Sequence, residues 1–295
     1  MMGPMAAAST DIDSINHVGM AVRDHAVATA RFEAMGFMLT PYSPHSGAWR
    51  PGEKVQALGS GNRCVMFAHN YLEILASEHL SAPAPRIEAF LARHQGAHII
   101  CFNSETPDLV EARLKAAGMG SSGVIPLQRD IETPEGIRTA KFERVQFAPE
   151  DSPEGYVQAA RHLTPQYIYQ PRYIRHPNAC DALTDCFVVT DDLDAFARKY
   201  ERYLGAPLTR DGVAWRFDFS LVGRLTLIHH RDVRNLLPGT LLPPLPGVAA
   251  VAFRCPDLGA QSRRLTDAGL TVREAGGRLL VPAEEACGVA VLFES

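Results

Sequence analysis

Four times along the chain a short apolar strand is followed by a helix-patterned segment and then by a glycine. The strands read 15–22, 97–102, 183–189 and 248–253, and the glycines are Gly36, Gly118, Gly205 and Gly269. Counted from His17, His98, Asp185 and Ala250, the glycines lie 19, 20, 20 and 19 residues downstream, so the register repeats to within one residue. Such a repeat constrains the fold more than any single motif, because each copy is one supersecondary unit that buries its apolar face against its neighbours.

Each glycine stops a helix and is followed by further strand signals. In the first copy these are 37–39, 55–58, 62–68 and 71–76, separated by Pro- and Gly-containing turns. The other three copies keep the same order, so each unit reads βαβββ and the chain is α+β. The proline-punctuated stretch 166–180 reads as a linker. The chain then divides into a tail at 1–12, an amino-terminal domain at 13–165 and a carboxy-terminal domain at 181–295.

The matched strand positions differ in chemistry. Two carry histidine, His17 and His98, and two carry Asp185 and Ala250. Alternate strand residues share a face, so the two histidines are expected on one face of the first half. That is a candidate metal site, absent from the second half.

Composition narrows the function. A chain of 295 residues with 46% hydrophobic content can bury the cores of two domains. A net charge of −4 with no basic stripe argues against nucleic acid. None of the six cysteines forms a CxxC pair, which fits structural thiols in a reducing compartment. No apolar run reaches the length of a membrane span, and residues 1–10 lack the pattern of a signal peptide. The expected location is cytoplasmic, the expected partner a small molecule, and a homodimer is left open. There is no nucleophile elbow, P-loop or dinucleotide fingerprint.

Three segments then carry a resemblance: Asn16-His17-Val18-Gly19-Met20-Ala21-Val22-Arg23-Asp24, Gly61-Asn62-Arg63-Cys64 followed by Tyr71-Leu72-Glu73-Ile74-Leu75, and Gly277-Arg278-Leu279-Leu280-Val281-Pro282. With the tandem βαβββ units, the chain resembles the vicinal oxygen chelate superfamily of glyoxalase I, extradiol dioxygenases and bleomycin-resistance proteins, and most of all its glyoxalase-like domain proteins. The resemblance implies four βαβββ modules paired into two cup-shaped sheets. It also implies a divalent metal (Fe, Mn, Zn or Ni) on a cup floor, with ligands from the first and last strand of each module.

Carried over, those ligands are His17, Glu73 and His98, a set of two imidazoles and a carboxylate. The fourth position falls on Gln158, or in a later register on Arg161 or His162. Glu73 and His162 are the expected acid–base groups, and Arg129, Arg144 and His45 the expected substrate contacts. In the second half the corresponding positions are Asp185, Thr226, Ala250 and Glu294, which reads as a degenerate cup. The expected function is that of a metal-dependent glyoxalase-like lyase or isomerase acting on a small molecule with vicinal oxygens. The alternatives are a ring-cleaving or other Fe(II) dioxygenase, and a metal-free sequestration protein with Trp49, Phe67, Tyr71, Phe102 and Phe142 around the ligand.

Overall fold

A computed structural model describes residues 11–47, 56–77 and 84–295. Trp49 and the tail at 1–10 lie outside the described residues. Module one comprises β1 (Ser14–Ala21), α1 (His25–Ala34), β2 (Ser43–Gly47), β3 (Gln56–Met66) and β4 (Tyr71–Ser77). A connecting helix α2 (Pro85–Arg93) leads to module two: β5 (Gly96–Asn103), α3 (Pro107–Ala116), β6 (Ser121–Thr133), β7 (Gly136–Phe147) and β8 (Tyr156–His162). After α4 (Pro165–Ile168) comes module three, with β9 (Ala182–Thr190), α5 (Leu193–Leu204), β10 (Thr209–Asp211), β11 (Ala214–Asp218) and β12 (Arg224–His229). Following α6 (Val233–Leu236), module four holds β13 (Gly247–Arg254), α7 (Leu258–Asp267), β14 (Arg273–Glu274), β15 (Leu279–Val281) and β16 (Ala290–Glu294).

The repeat is physical as well as sequential. Asp24, Asp192 and Asp257 cap α1, α5 and α7 by accepting backbone N–H bonds. All four stop glycines have positive φ, between 60° and 87°, a conformation that glycine adopts without a Cβ clash. The strand expected at 37–39 is instead irregular, and the module's second strand begins at Ser43.

Modules one and two form an eight-stranded sheet in the order β2-β3-β4-β1-β5-β8-β7-β6; modules three and four form β10-β11-β12-β9-β13-β16-β15-β14. In each sheet the first strands of the two modules pair antiparallel at the centre, and each runs parallel to the last strand of its own module. The central strands are buried along nearly their whole length, which is why they read as unbroken apolar runs.

One core joins both sheets. Val18, Met20, Ile100 and Phe102 share it with Cys186, Val188, Val251 and Phe253, together with residues of α1, α3, α5 and α7. The sheets therefore pack by the faces that carry these residues, and the opposite faces form the two cups. The first sheet curls until its edge strands β2 and β6 approach each other, giving a nearly closed barrel. One end of this barrel is covered by α2, where Ile87 and Phe90 pack against Ala21, Leu75, Ile99 and Tyr156. The other end is covered by the stretch expected as a linker, where Ile168, Tyr169 and Ile174 pack against Cys64, Tyr71 and Phe142.

Candidate functional site

Pairing registers show which side chains share the barrel interior. His17 lies opposite Tyr71 and Gly19 opposite Glu73; on the other side of β1, Cys101 and Ile99 are their partners. The same rows continue through Gln158 and Tyr156 on β8. Gly19 makes room for the carboxylate: a Cβ there would lie 2.9 Å from Ile99 Cβ and 3.2 Å from Glu73 Oε2.

The register corrects the alignment of the two histidines. Each central strand carries one unpaired bulge residue: Asn16, His98, Thr184 and Ala249. The residues that follow are His17, Ile99, Asp185 and Ala250, so His98 matches Asn16 and Ile99 matches His17. A one-residue slip along a strand changes which side chain faces the cup. His98 turns to α2, its ring stacked on Phe90 at 4.7 Å and its Nε2 donating to the His94 carbonyl at 2.9 Å. The structure does not bring it to His17 and Glu73. Gln158 occupies the fourth position, because it pairs with Cys101 as Glu73 pairs with Gly19. In the second sheet the same rule replaces Glu294 by Leu292.

The four positions named by the resemblance thus hold His17, Glu73, Ile99 and Gln158. Isoleucine has no lone pair to donate and an amide oxygen is a weak ligand. Among the described residues, no group of three His, Cys, Asp or Glu side chains is placed to hold a metal ion. The residues present do not fit a metal held in the family manner.

What the barrel interior does hold is a set of acid–base groups around Glu73. His17 Nε2 stands 3.9 Å from Glu73 Oε2, and His45 Nε2 3.9 Å from Oε1. Asn62 donates its side-chain N–H to Oε1. A hydrogen-bond chain sets the tautomer of His17. The Asp13 carboxylate can only accept, so Asn103 turns its amide nitrogen toward it, at 3.0 Å. Asn103 Oδ1 then accepts from Asn16 Nδ2 at 3.1 Å, and Asn16 Oδ1 accepts from His17 Nδ1 at 2.8 Å. His17 therefore presents the bare lone pair of Nε2 to the carboxylate. Two acceptors thus face one another across 3.9 Å with no donor between them. In nitrogen-labelled protein at pH 7, NMR is expected to show His17 with its proton on Nδ1, and Asn16→Ala to release the Nε2–H form. A wild-type signal from the Nε2–H tautomer would refute the chain.

Burial, aided by the Arg129 charge, lowers the His17 pKa to about 3 and keeps the imidazole neutral. His45 is lowered to about 4, again mainly by burial. His162 is lowered to about 3 by burial and then by His17 and Arg129. Tyr71 is stacked with both His17, at 4.6 Å, and His162, at 6.3 Å. His162 sits at the end of the barrel covered by the 165–174 segment, against Tyr169 and Phe142.

Arg129 lies over the Phe142 ring, at 5.6 Å, and Arg144 over Tyr156, at 5.8 Å. Both guanidinium Nε atoms are shut from solvent without a hydrogen-bond partner, as are Tyr156 OH, Gln158 Oε1 and His162 Nδ1. Buried polar groups in folded proteins are paired as a rule, and among the described residues these atoms of the wall have no partner. The sequence reading missed Asn16, Asn62 and Asn103, which become visible only through strand pairing.

The second cup is filled. Phe187, Val189, Ile228, Ala250 and Leu292 pack with Val233 and Leu237 at α6. Its floor is an ion cluster: Arg224 bonds Asp185 at 2.6 Å and both oxygens of Glu294, while Thr226 donates to Asp185 at 2.9 Å. Burial raises the Asp185 pKa to about 7 against the opposing pull of Arg224. A cleft of about 450 Å³ between α6 and residues 239–242 contains none of the candidate residues.

With this geometry in view, the comparisons are informative. No curated protein sequence matches the chain. Among solved structures, a hypothetical protein from Staphylococcus aureus has a TM-score of 0.60 at 11% identity, covering 95% of this chain and 98% of its own. The Mn(II)-bound glyoxalase from Novosphingobium aromaticivorans gives 0.54 at 12% identity, covering 96% of this chain and 82% of its own. A variant of homoprotocatechuate 2,3-dioxygenase from B. fuscum gives 0.55 at 15%, covering 99% and 74%. At these identities the likeness establishes the tandem fold, which hosts several chemistries. The sequence profile described as a glyoxalase-like domain matches residues 15–204, which include the whole first barrel. The chain belongs to the glyoxalase-like domain family, within the vicinal oxygen chelate superfamily.

Proposed function

We propose that the amino-terminal barrel is the active site of a glyoxalase-like lyase or isomerase that moves a proton on a small molecule with neighbouring oxygens. The observation that carries this reading is the pairing of the Glu73 carboxylate with the bare Nε2 of His17, 3.9 Å apart, in a barrel covered at both ends. Glu73 is the base. Its placement is held by Asn62 at Oε1 and by the absence of a side chain at Gly19. Neutral His17 accepts a hydrogen bond from the substrate and so orients the proton toward Glu73. Arg129, whose charge is felt by His17, His45 and His162, stabilises the negative charge that develops on the substrate oxygen. His162, pushed to about 3, is a weak base and serves in the wall.

No step in this scheme passes through a metal, since Ile99 and Gln158 stand where two ligands are required. The Mn(II)-bound glyoxalase and the dioxygenase share the fold, which by itself supplies no such ligands here. The sequestration reading draws support from the aromatic wall of Tyr71, Phe142 and Tyr156. It gives no role to the opposed acceptors at Glu73.

Hydrogen–deuterium exchange at carbon tests the proposal. Incubation in D₂O with a panel of α-ketoaldehydes and α-hydroxycarbonyl compounds is expected to give enzyme-dependent exchange beside a carbonyl, and Glu73→Gln to slow it by about 10²–10⁴-fold. Unchanged exchange in Glu73→Gln would defeat the assignment, as would stoichiometric metal bound through His17. Binding without exchange across the panel would favour sequestration.

A further inference from the structure

The end of the barrel next to α2 carries a second feature that the acid–base scheme does not use. Arg86 on α2 and Arg144 on β7 both place their guanidinium groups against the ring of Tyr156, at 4.8 Å and 5.8 Å from its centroid. No carboxylate among the described residues lies within ion-pairing distance of either. Arg144 Nε and the Tyr156 hydroxyl are buried without a hydrogen-bond partner. Two like charges on one aromatic ring repel, and burial of Arg144 makes its charge more costly to leave uncompensated. Burial and then the Arg86 charge lower the Arg144 pKa to about 10.

We infer that Arg86, Arg144 and the Tyr156 hydroxyl form an anion site, and that its ligand is the carboxylate of a small organic acid. A guanidinium pair matches the planar, two-oxygen geometry of a carboxylate. The groups that usually hold phosphate, a glycine-rich loop or a long helix's amino-terminal N–H groups, are not what lines this wall. Placement links the site to the chemistry. Tyr156, Ile99, Gly19 and Glu73 lie in one row of paired residues, so Tyr156 and Glu73 are three strand steps apart, about 14 Å around the arc and less across the barrel. The Glu73 charge is already felt at Arg86. An acid anchored at Arg86 and Arg144 presents the carbon beside its carboxylate toward Glu73 and His17. The proposed chemistry at Glu73 thereby acquires a substrate class: small acids whose second oxygen neighbours the carboxylate. That assignment rests on the proton-transfer reading; the anion site itself does not.

Titration calorimetry on the full chain with benzoate, benzamide and inorganic phosphate tests the site without turnover. Benzoate is expected to bind, benzamide not to, and phosphate to bind at least tenfold more weakly. Arg86→Gln, on an exposed helical position, and Arg144→Gln are each expected to weaken benzoate by about 10-fold or more. Arg144→Gln is expected to leave the melting temperature unchanged or higher, because it removes an unpaired charge; a structural arginine would lower it. Glu73→Gln is expected to keep benzoate binding, which separates failure of this site from failure of the proton-transfer scheme. Equal binding of benzoate and benzamide would overturn the proposal. So would tighter binding of phosphate, or full benzoate affinity in Arg86→Gln.

Discussion

Lowering the pH from 7 to 5 is expected to cut the melting temperature by about 10 °C or more. Four histidines of the first barrel and its α2 cover are buried in the neutral form: His17 and His162 are lowered to about 3, His45 and His98 to about 4. In the unfolded chain they titrate near 6.5. Between pH 6.5 and 4 the unfolded state therefore binds more protons than the folded one. The stabilisation is complete above 6.5 and is lost as the pH falls toward the folded values. Each group contributes at most about 2 kcal/mol at pH 5, from 1.36 kcal/mol per unit. Differential scanning calorimetry across this range checks it, with His162→Gln expected to flatten the slope. A melting temperature that stays level from pH 7 to 5 would show that these rings are not held neutral.

Replacing Arg224 by Met should destabilise the chain by about 3–5 kcal/mol at pH 8, because the change strands Asp185 and Glu294 on the floor of the filled cup. The loss depends on pH with a definite sign. Asp185 is already raised to about 7 with Arg224 in place, and without it the carboxyl moves higher. A carboxyl with a raised folded pKa is stable when protonated, and its stability declines as the pH rises. Measured by urea denaturation relative to the parent at the same pH, the loss should be smaller at pH 6 than at pH 8, and the histidine contribution cancels. The triple variant Arg224→Met, Asp185→Asn, Glu294→Gln removes all three charges and should recover most of the loss. A single variant as stable as the parent would mean that water already satisfies the cluster.

The second cup shows how one fold diverges. At the position of His17 stands Asp185, at Glu73 Thr226, at Ile99 Ala250 and at Gln158 Leu292. Its one strong acid–base group is tied to arginine, and apolar side chains fill the space. The first barrel keeps a carboxylate held by Asn62 but tied to no arginine, guanidinium Nε atoms without a partner and a lone pair aimed inward. The contrast lies in whether the acidic group is tied to an arginine and whether apolar side chains fill the space beside it.

The repeat, the helix stops and the order of elements within each unit were legible in the sequence, since each depends on signals within a few residues: an apolar run, a turn, a glycine able to take positive φ. Glu73 was legible too, as an acid in an apolar strand. The positions of His98 and Glu294 were not. A bulge adds one residue to a strand without changing its composition, and only the pairing partner across the sheet reveals it. Likewise nothing local joins Asp13 to His17 through Asn103, or brings Arg86 and Arg144 to one ring across 57 intervening positions. Local periodicity determined the modules. The tertiary structure decided which side chains meet, because that depends on register and closure between strands far apart in the chain.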